Sequence, residues 1–90
     1  MTPRPLAEAL VALRTPEEAQ IFMADLCTPA EIRALEERWR VAQHLNAGLP
    51  YREVARLAEA STTTVVRVAR YLKDMPHQGY RLMLDRLGAR

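Results

Sequence analysis

The stretch YREVARLAEASTTTVVRVARYLK, residues 51–73, decides the fold. Its first part places Val54, Ala55 and Ala58 at helical spacing, and its second part does the same with Val65, Val68, Ala69 and Leu72. Apolar residues three and four apart make one face of a helix. The spacing predicts a short helix over about 51–58 and a longer one over about 62–73, capped by Ser61. Two such helices need small residues where they cross. Ala55 and Ala58 supply them on the first helix, and Ala60 sits in the turn. Val65 and Val68 are expected to anchor the second helix against Val54 and Leu57. This is the pattern of a helix-turn-helix unit. Its turn often carries glycine; here Glu59 stands in that place, and a positive φ, if the turn requires one there, costs roughly 1 kcal/mol.

The opposite face of the second helix is polar and basic. Ser61, Thr62, Thr63 and Thr64 open it, and Val66, Arg67, Arg70 and Lys73 follow. Between Ser61 and Lys73 there are three positive charges and no acid. Free N–H groups at a helix N-terminus favour phosphate. Short hydroxyls can bond phosphates or base edges, and threonine methyls can touch thymine methyls. Arg52 and Arg56, four apart on the preceding helix, are placed for backbone phosphates. These residues predict a surface for double-stranded DNA, with the helix over about 62–73 in the major groove.

Outward from that unit, the rest of the chain also reads as helix. Thr15-Pro16-Glu17-Glu18 and Thr28-Pro29-Ala30-Glu31 each combine a cap, a proline at the first helical position and a glutamate three residues after the cap. In each the hydroxyl can accept an orphan N–H while the glutamate reaches back to the cap amide. Further helices are expected over about 4–14, 16–26, 29–47 and 77–87, with Gly48 closing the longest and Pro76 ending the run before the last. Their expected inward residues are Leu6, Leu10 and Leu13; then Ala19, Phe22, Met23 and Leu26; then Ile32, Leu35, Trp39, Ala42 and Leu45; and finally Tyr80, Leu82 or Met83, Leu84 and Leu87. No alternating run bounded by turn pairs suggests a strand. The expectation is an all-α, six-helix chain forming one domain over residues 1–90.

Composition removes several functions. Of 90 residues, 49% are apolar and 27% charged, a globular balance rather than a disordered one. No run of about 18 apolar residues suggests a membrane span. No basic stretch followed by an apolar one suggests a secretory signal. The single cysteine, Cys27, cannot pair within the chain and reads as a small buried hydrophobe. A reducing cytoplasm fits, with nucleoid association when DNA is bound. His44 and His77 have no partners nearby in sequence, so no metal is expected. Glu36 and Glu37 are adjacent and point to different faces, so they make no carboxylate pair. None of the three glycines sits in a phosphate-cradle motif. Neither a cofactor nor an enzyme activity is expected.

Charge is unevenly spread. Residues 1–37 hold three basic groups against seven acids, and residues 38–90 hold ten against four. A basic half can face a polyanion while an acidic half faces away. The first three helices also carry more apolar positions than so short a monomer can cover, which predicts a homodimer.

Several stretches together resemble a known family. Asp25-Leu26-Cys27-Thr28-Pro29-Ala30-Glu31-Ile32, then Arg38, then Ala60-Ser61-Thr62-Thr63-Thr64-Val65, Arg67-Val68-Ala69-Arg70 and Gly79-Tyr80-Arg81-Leu82-Met83-Leu84 are similar to the Trp repressor superfamily. Among its members the chain most resembles the YerC/YecD-type branch, over about residues 6–87. The resemblance implies an intertwined helical homodimer and a transcriptional regulator, a repressor by the family's habit. In the Trp repressor, tryptophan sits between two arginines that match Arg38 and Arg67, beside a threonine that matches Thr28. These three are the candidate effector pocket. Two neighbours do not match. Val68 stands where the repressor has glycine, and Tyr71 where it has serine. Both are bulkier, and Val68 belongs to the apolar stripe. L-tryptophan is therefore not expected as the effector, although Arg38 and Arg67 could clamp some smaller anion. The other class of function is a helical dimer that serves as a protein-interaction adaptor without DNA. In that case the surface from Ser61 to Lys73 would be buried between subunits.

Overall fold

The computed structural model describes residues 2–88, and among them there are six helices and no strand. They are α1 (Leu6–Ala12), α2 (Pro16–Leu26), α3 (Pro29–Asn46), α4 (Tyr51–Ala58), α5 (Thr62–Lys73) and α6 (Gly79–Gly88). The chain divides into two compact units, Met1–Arg33 and Ala34–Arg90. Helix α3 begins in the first and continues into the second. Arg90, one of the basic groups counted above, lies outside the described residues.

The first unit is shaped by its caps. Thr15 Oγ1 accepts the Glu18 N–H at 3.1 Å. The Glu18 carboxylate takes the Arg14 N–H at 2.9 Å rather than the Thr15 amide. The second box closes as expected: Thr28 Oγ1 accepts the Glu31 N–H at 3.1 Å, and Glu31 Oε1 accepts the Thr28 N–H at 2.8 Å. Helix α1 is shorter than its sequence suggests. Pro5 disfavours helical backbone at Arg4, so Pro5 becomes the cap and Leu6 the first helical residue. The inward residues are not buried. No residue of α1 or α2 is buried, and Leu6, Leu10 and Leu26 stay exposed. Val11 and Ile21 reach 84% and 67% exposure. Leu13, Ala19, Phe22, Met23 and Cys27 are half-buried. The amphipathic stripes exist, but residues 2–33 do not supply their cover.

The second unit has a small aliphatic core. Val41 and Ala42 from α3, Val54 and Ala58 from α4, and Val65 and Val68 from α5 are buried together. Trp39, Leu45, Leu49, Ala55, Ala60 and Tyr80 pack around them. Ala69, Leu72 and Leu84 are buried as well. The α4–α5 crossing is therefore made by the residues its spacing indicated, with one exception: Leu57 points outward and is exposed. Leu35 is also exposed. In α6 only Leu84 is buried, while Leu82, Met83 and Leu87 face solvent. That helix starts at Gly79 rather than 77, because Gln78 takes a left-handed φ of 56° that ends any helix begun earlier. The Gln78 Nε2 donates to Met75 O at 2.6 Å and holds that turn.

Two helices end by the same device. Gly48, at φ 89°, closes α3, and the Leu49 N–H donates to His44 O at 3.4 Å. Glu59, at φ 53°, closes α4, and the Ala60 N–H donates to Ala55 O at 3.0 Å. Left-handed residues at this point satisfy orphan carbonyls. Arg40 of α3 adds a third link, donating from Nη2 to Ala58 O at 3.3 Å. Glycine bears the left-handed conformation without the Cβ penalty. Glu59→Gly should therefore stabilise the protein by about 1 kcal/mol, raising Tm by roughly 4–8 °C. An unchanged or lower melting temperature would show that the Glu59 side chain makes up for its backbone strain.

Candidate nucleic-acid interface

Helix α5 presents two faces. Val65, Val68, Ala69 and Leu72 are buried, whereas Thr62, Thr63, Val66, Arg67, Arg70 and Lys73 are exposed. At 3.6 residues per turn the exposed set spans an arc of about 140°. It contains no acid. Val66, 56% exposed, is an apolar side chain set among polar ones.

The four hydroxyls at the start of α5 divide by role. Ser61 Oγ accepts the Thr64 N–H at 3.1 Å and donates to Thr64 Oγ1 at 3.1 Å. Ser61 and Thr64 are thus engaged in the cap, and Thr62 and Thr63 project from the first turn. The free N–H groups of that turn and the positive end of the helix dipole lie beside them.

The basic groups differ in how they are held. Among the described residues, neither a hydrogen bond nor an ion pair holds Arg52 or Arg70. Lys73 donates to Tyr51 Oη at 3.4 Å and lies 5.6 Å from that ring's centre, tying the end of α5 to the start of α4. Arg56 is paired with Glu53, one turn before it, through both Nη2 and Nε, the latter at 3.4 Å. This hydrogen bonding, with the charge of Arg56, holds the Glu53 carboxyl below the usual carboxylate range, and the same pair raises Arg56. The pair is present at neutral pH and is lost as pH falls through the Glu53 carboxyl's range. Spacing placed Arg52 and Arg56 as equals; the structure gives Arg56 an internal competitor.

The three effector-pocket candidates are placed as follows. Thr28 lies in the first unit, its hydroxyl closing the α3 capping box. Arg38 is half-buried on α3 and Arg67 is exposed on α5. Val68 is 1% exposed, inside the core. The Arg67 guanidinium lies 4.7 Å from the centre of the Tyr71 ring. Tyr71 in turn lines an apolar groove of about 430 Å³ with Trp39, Met75, His77, Tyr80 and Met83. The residues missed by sequence reading are Arg40, Tyr51 and Glu53. An acid three residues before Arg56 was the one legible signal among them. No group of three His, Cys, Asp or Glu side chains among the described residues could hold a metal ion, and none of the helices described is long and apolar enough to cross a membrane.

Six helices, with α4 and α5 packed around a tight turn, define a helix-turn-helix protein. The chain belongs to the Trp repressor family, a family of regulators: the family model for the Trp repressor protein matches residues 4–88. It is 37% identical over 82 residues to YerC of Bacillus subtilis, a protein of uncharacterised function, covering 91% of this chain and 78% of that one. Among solved structures, it resembles a TrpR-like protein from Eubacterium eligens, with a TM-score of 0.85 and 37% identity over 92% of this chain and 84% of that one. It also resembles a candidate Trp repressor from Staphylococcus aureus, with a TM-score of 0.87 and 35% identity over 94% and 84% of the two chains.

Proposed function

We propose that the protein is a homodimeric transcriptional regulator that binds double-stranded DNA in the cytoplasm, laying α5 in the major groove and acting as a repressor. One observation carries this reading: an acid-free stripe of hydroxyls, Val66 and three cations runs along α5, opposite a fully buried face. Thr62, Thr63 and Val66 meet base edges and thymine methyls. Arg67, Arg70 and Lys73 meet guanines or phosphates, and Arg52 and Arg56 meet phosphates across the groove edge. Ser61 and Thr64 hold the helix start and offer its N–H groups to a phosphate. The test is selection of bound duplexes from a random library, followed by titration of the enriched sequence. Enrichment of a two-fold symmetric site with half-sites about one duplex turn apart is expected. No enrichment, with no binding at low salt, would leave the adaptor reading in its place.

The Glu53–Arg56 pair makes a second test. Glu53→Gln removes the competitor for Arg56 and one negative charge near the duplex. DNA binding should tighten by about two- to fivefold, since a solvent-exposed pair holds its partner only weakly. A weaker variant would show that Glu53 orients Arg56 productively instead.

The pocket is proposed to work without L-tryptophan. Val68 fills core space and Tyr71 already occupies the face of Arg67. Calorimetric titration should give no saturable heat with L-tryptophan up to low-millimolar levels, and DNA affinity should not respond to it. Saturable binding that tightens the DNA complex would restore Thr28, Arg38 and Arg67 as an effector clamp.

A further inference from the structure

Tyr71 lies on α5 but outside the stripe assigned to the duplex. It follows Arg67 by four residues, so the two side chains are neighbours on the helix surface. The Arg67 guanidinium carbon is 4.7 Å from the centre of the Tyr71 ring, within cation–π range. Arg67 is exposed, whereas Tyr71 is half-buried and lines the groove with Trp39, Met75 and Met83. The ring therefore belongs to the apolar wall and borders the basic stripe at Arg67. Among the described residues, Arg70 and Arg52 have no such ring.

We propose that Tyr71 is a positioning residue, which holds the Arg67 guanidinium in its binding geometry before a duplex arrives. This rests on the DNA-binding reading above. A long side chain that must be immobilised on binding lowers affinity, and one already held does not. Arginine suits this role because its planar cation stacks on an aromatic face; lysine does not stack in that way.

The experiment is a double-mutant cycle. Its probes are the duplex enriched by the wild-type protein and a random-sequence duplex, each read by fluorescence anisotropy. The variants are Tyr71→Phe, Tyr71→Leu, Arg67→Ala and Tyr71→Leu with Arg67→Ala, with thermal melts confirming that each is folded. Tyr71→Phe keeps the ring and should bind within twofold of wild type. Tyr71→Leu keeps an apolar side chain and loses the ring. It should weaken binding about threefold per subunit, and so about tenfold for a dimer. In the Arg67→Ala background the same change should have no further effect. In the free protein, the Arg67 Nε–H resonance should carry a ring-current shift that Tyr71→Leu abolishes. Equal weakening of binding in both backgrounds would overturn the proposal, since the ring would then act through packing alone. So would a Tyr71→Leu variant that binds like wild type, or an Arg67 resonance without the shift. A wild type that binds neither duplex overturns the DNA-binding reading, and this proposal with it.

Discussion

Raising salt from about 50 to 200 mM should weaken DNA binding by about four orders of magnitude. A dimer presents Arg52, Arg67, Arg70 and Lys73 twice. If all eight cations meet phosphates, log K falls against log[salt] with a slope of about −7, at about 0.9 per phosphate. Arg70→Ala removes two of these contacts, so its slope should be shallower by about 2. Thr63→Ala, at a base edge, should instead lose preference between the enriched and the random duplex. Arg52→Ala should weaken both duplexes alike, and more than Arg56→Ala does, because Glu53 already engages Arg56. Affinity that ignores salt over this range would remove the electrostatic basis of the proposed function.

Folding should depend on protein concentration. Leu6, Leu10, Val11, Ile21 and Leu26 are exposed in the first unit, and no residue of α1 or α2 is buried. A second copy of the chain is the proposed cover for that surface. The wild type should therefore sediment as a dimer at micromolar concentration, and Tm should rise with concentration. Leu10→Asp should abolish the dimer by placing an unpaired charge in the interface. Trp39→Ala removes a large side chain that packs on the Val41–Val68 core. It should cost about 3 kcal/mol, enough to lower Tm by roughly 12–24 °C. A folded monomer at micromolar concentration would contradict the dimer.

What the sequence made legible follows from what is local. Caps are decided by a few adjacent residues, so Thr15, Thr28, Ser61 and Gly48 could all be read directly. The buried face of α5 was legible because Val65, Val68, Ala69 and Leu72 repeat with the helix period. The apolar stripes of α1 and α2 were equally visible, but a stripe states that a face favours burial, not which surface covers it. Leu57 shows the same limit within one helix. Its place beside Val54 and Ala58 is helical, yet the crossing leaves it outside. The start of α6 was misread because glutamine gives little warning of a left-handed backbone. Side-chain pairings across elements, such as Lys73 with Tyr51 or Arg40 with Ala58 O, depend on tertiary geometry that no spacing rule contains.

The core beneath α5 holds four fully buried valines, Val41, Val54, Val65 and Val68, together with alanines. In a helix valine has essentially one χ1 rotamer, and alanine has none to change. Such a core has few alternative packings, so α4 and α5 keep one mutual angle. A partner therefore meets a stiff template rather than an adaptable one. Under the proposed function, the adjustment would fall on the nucleic acid: sequences that bend or widen easily would be favoured, and discrimination would extend to base pairs that α5 never touches.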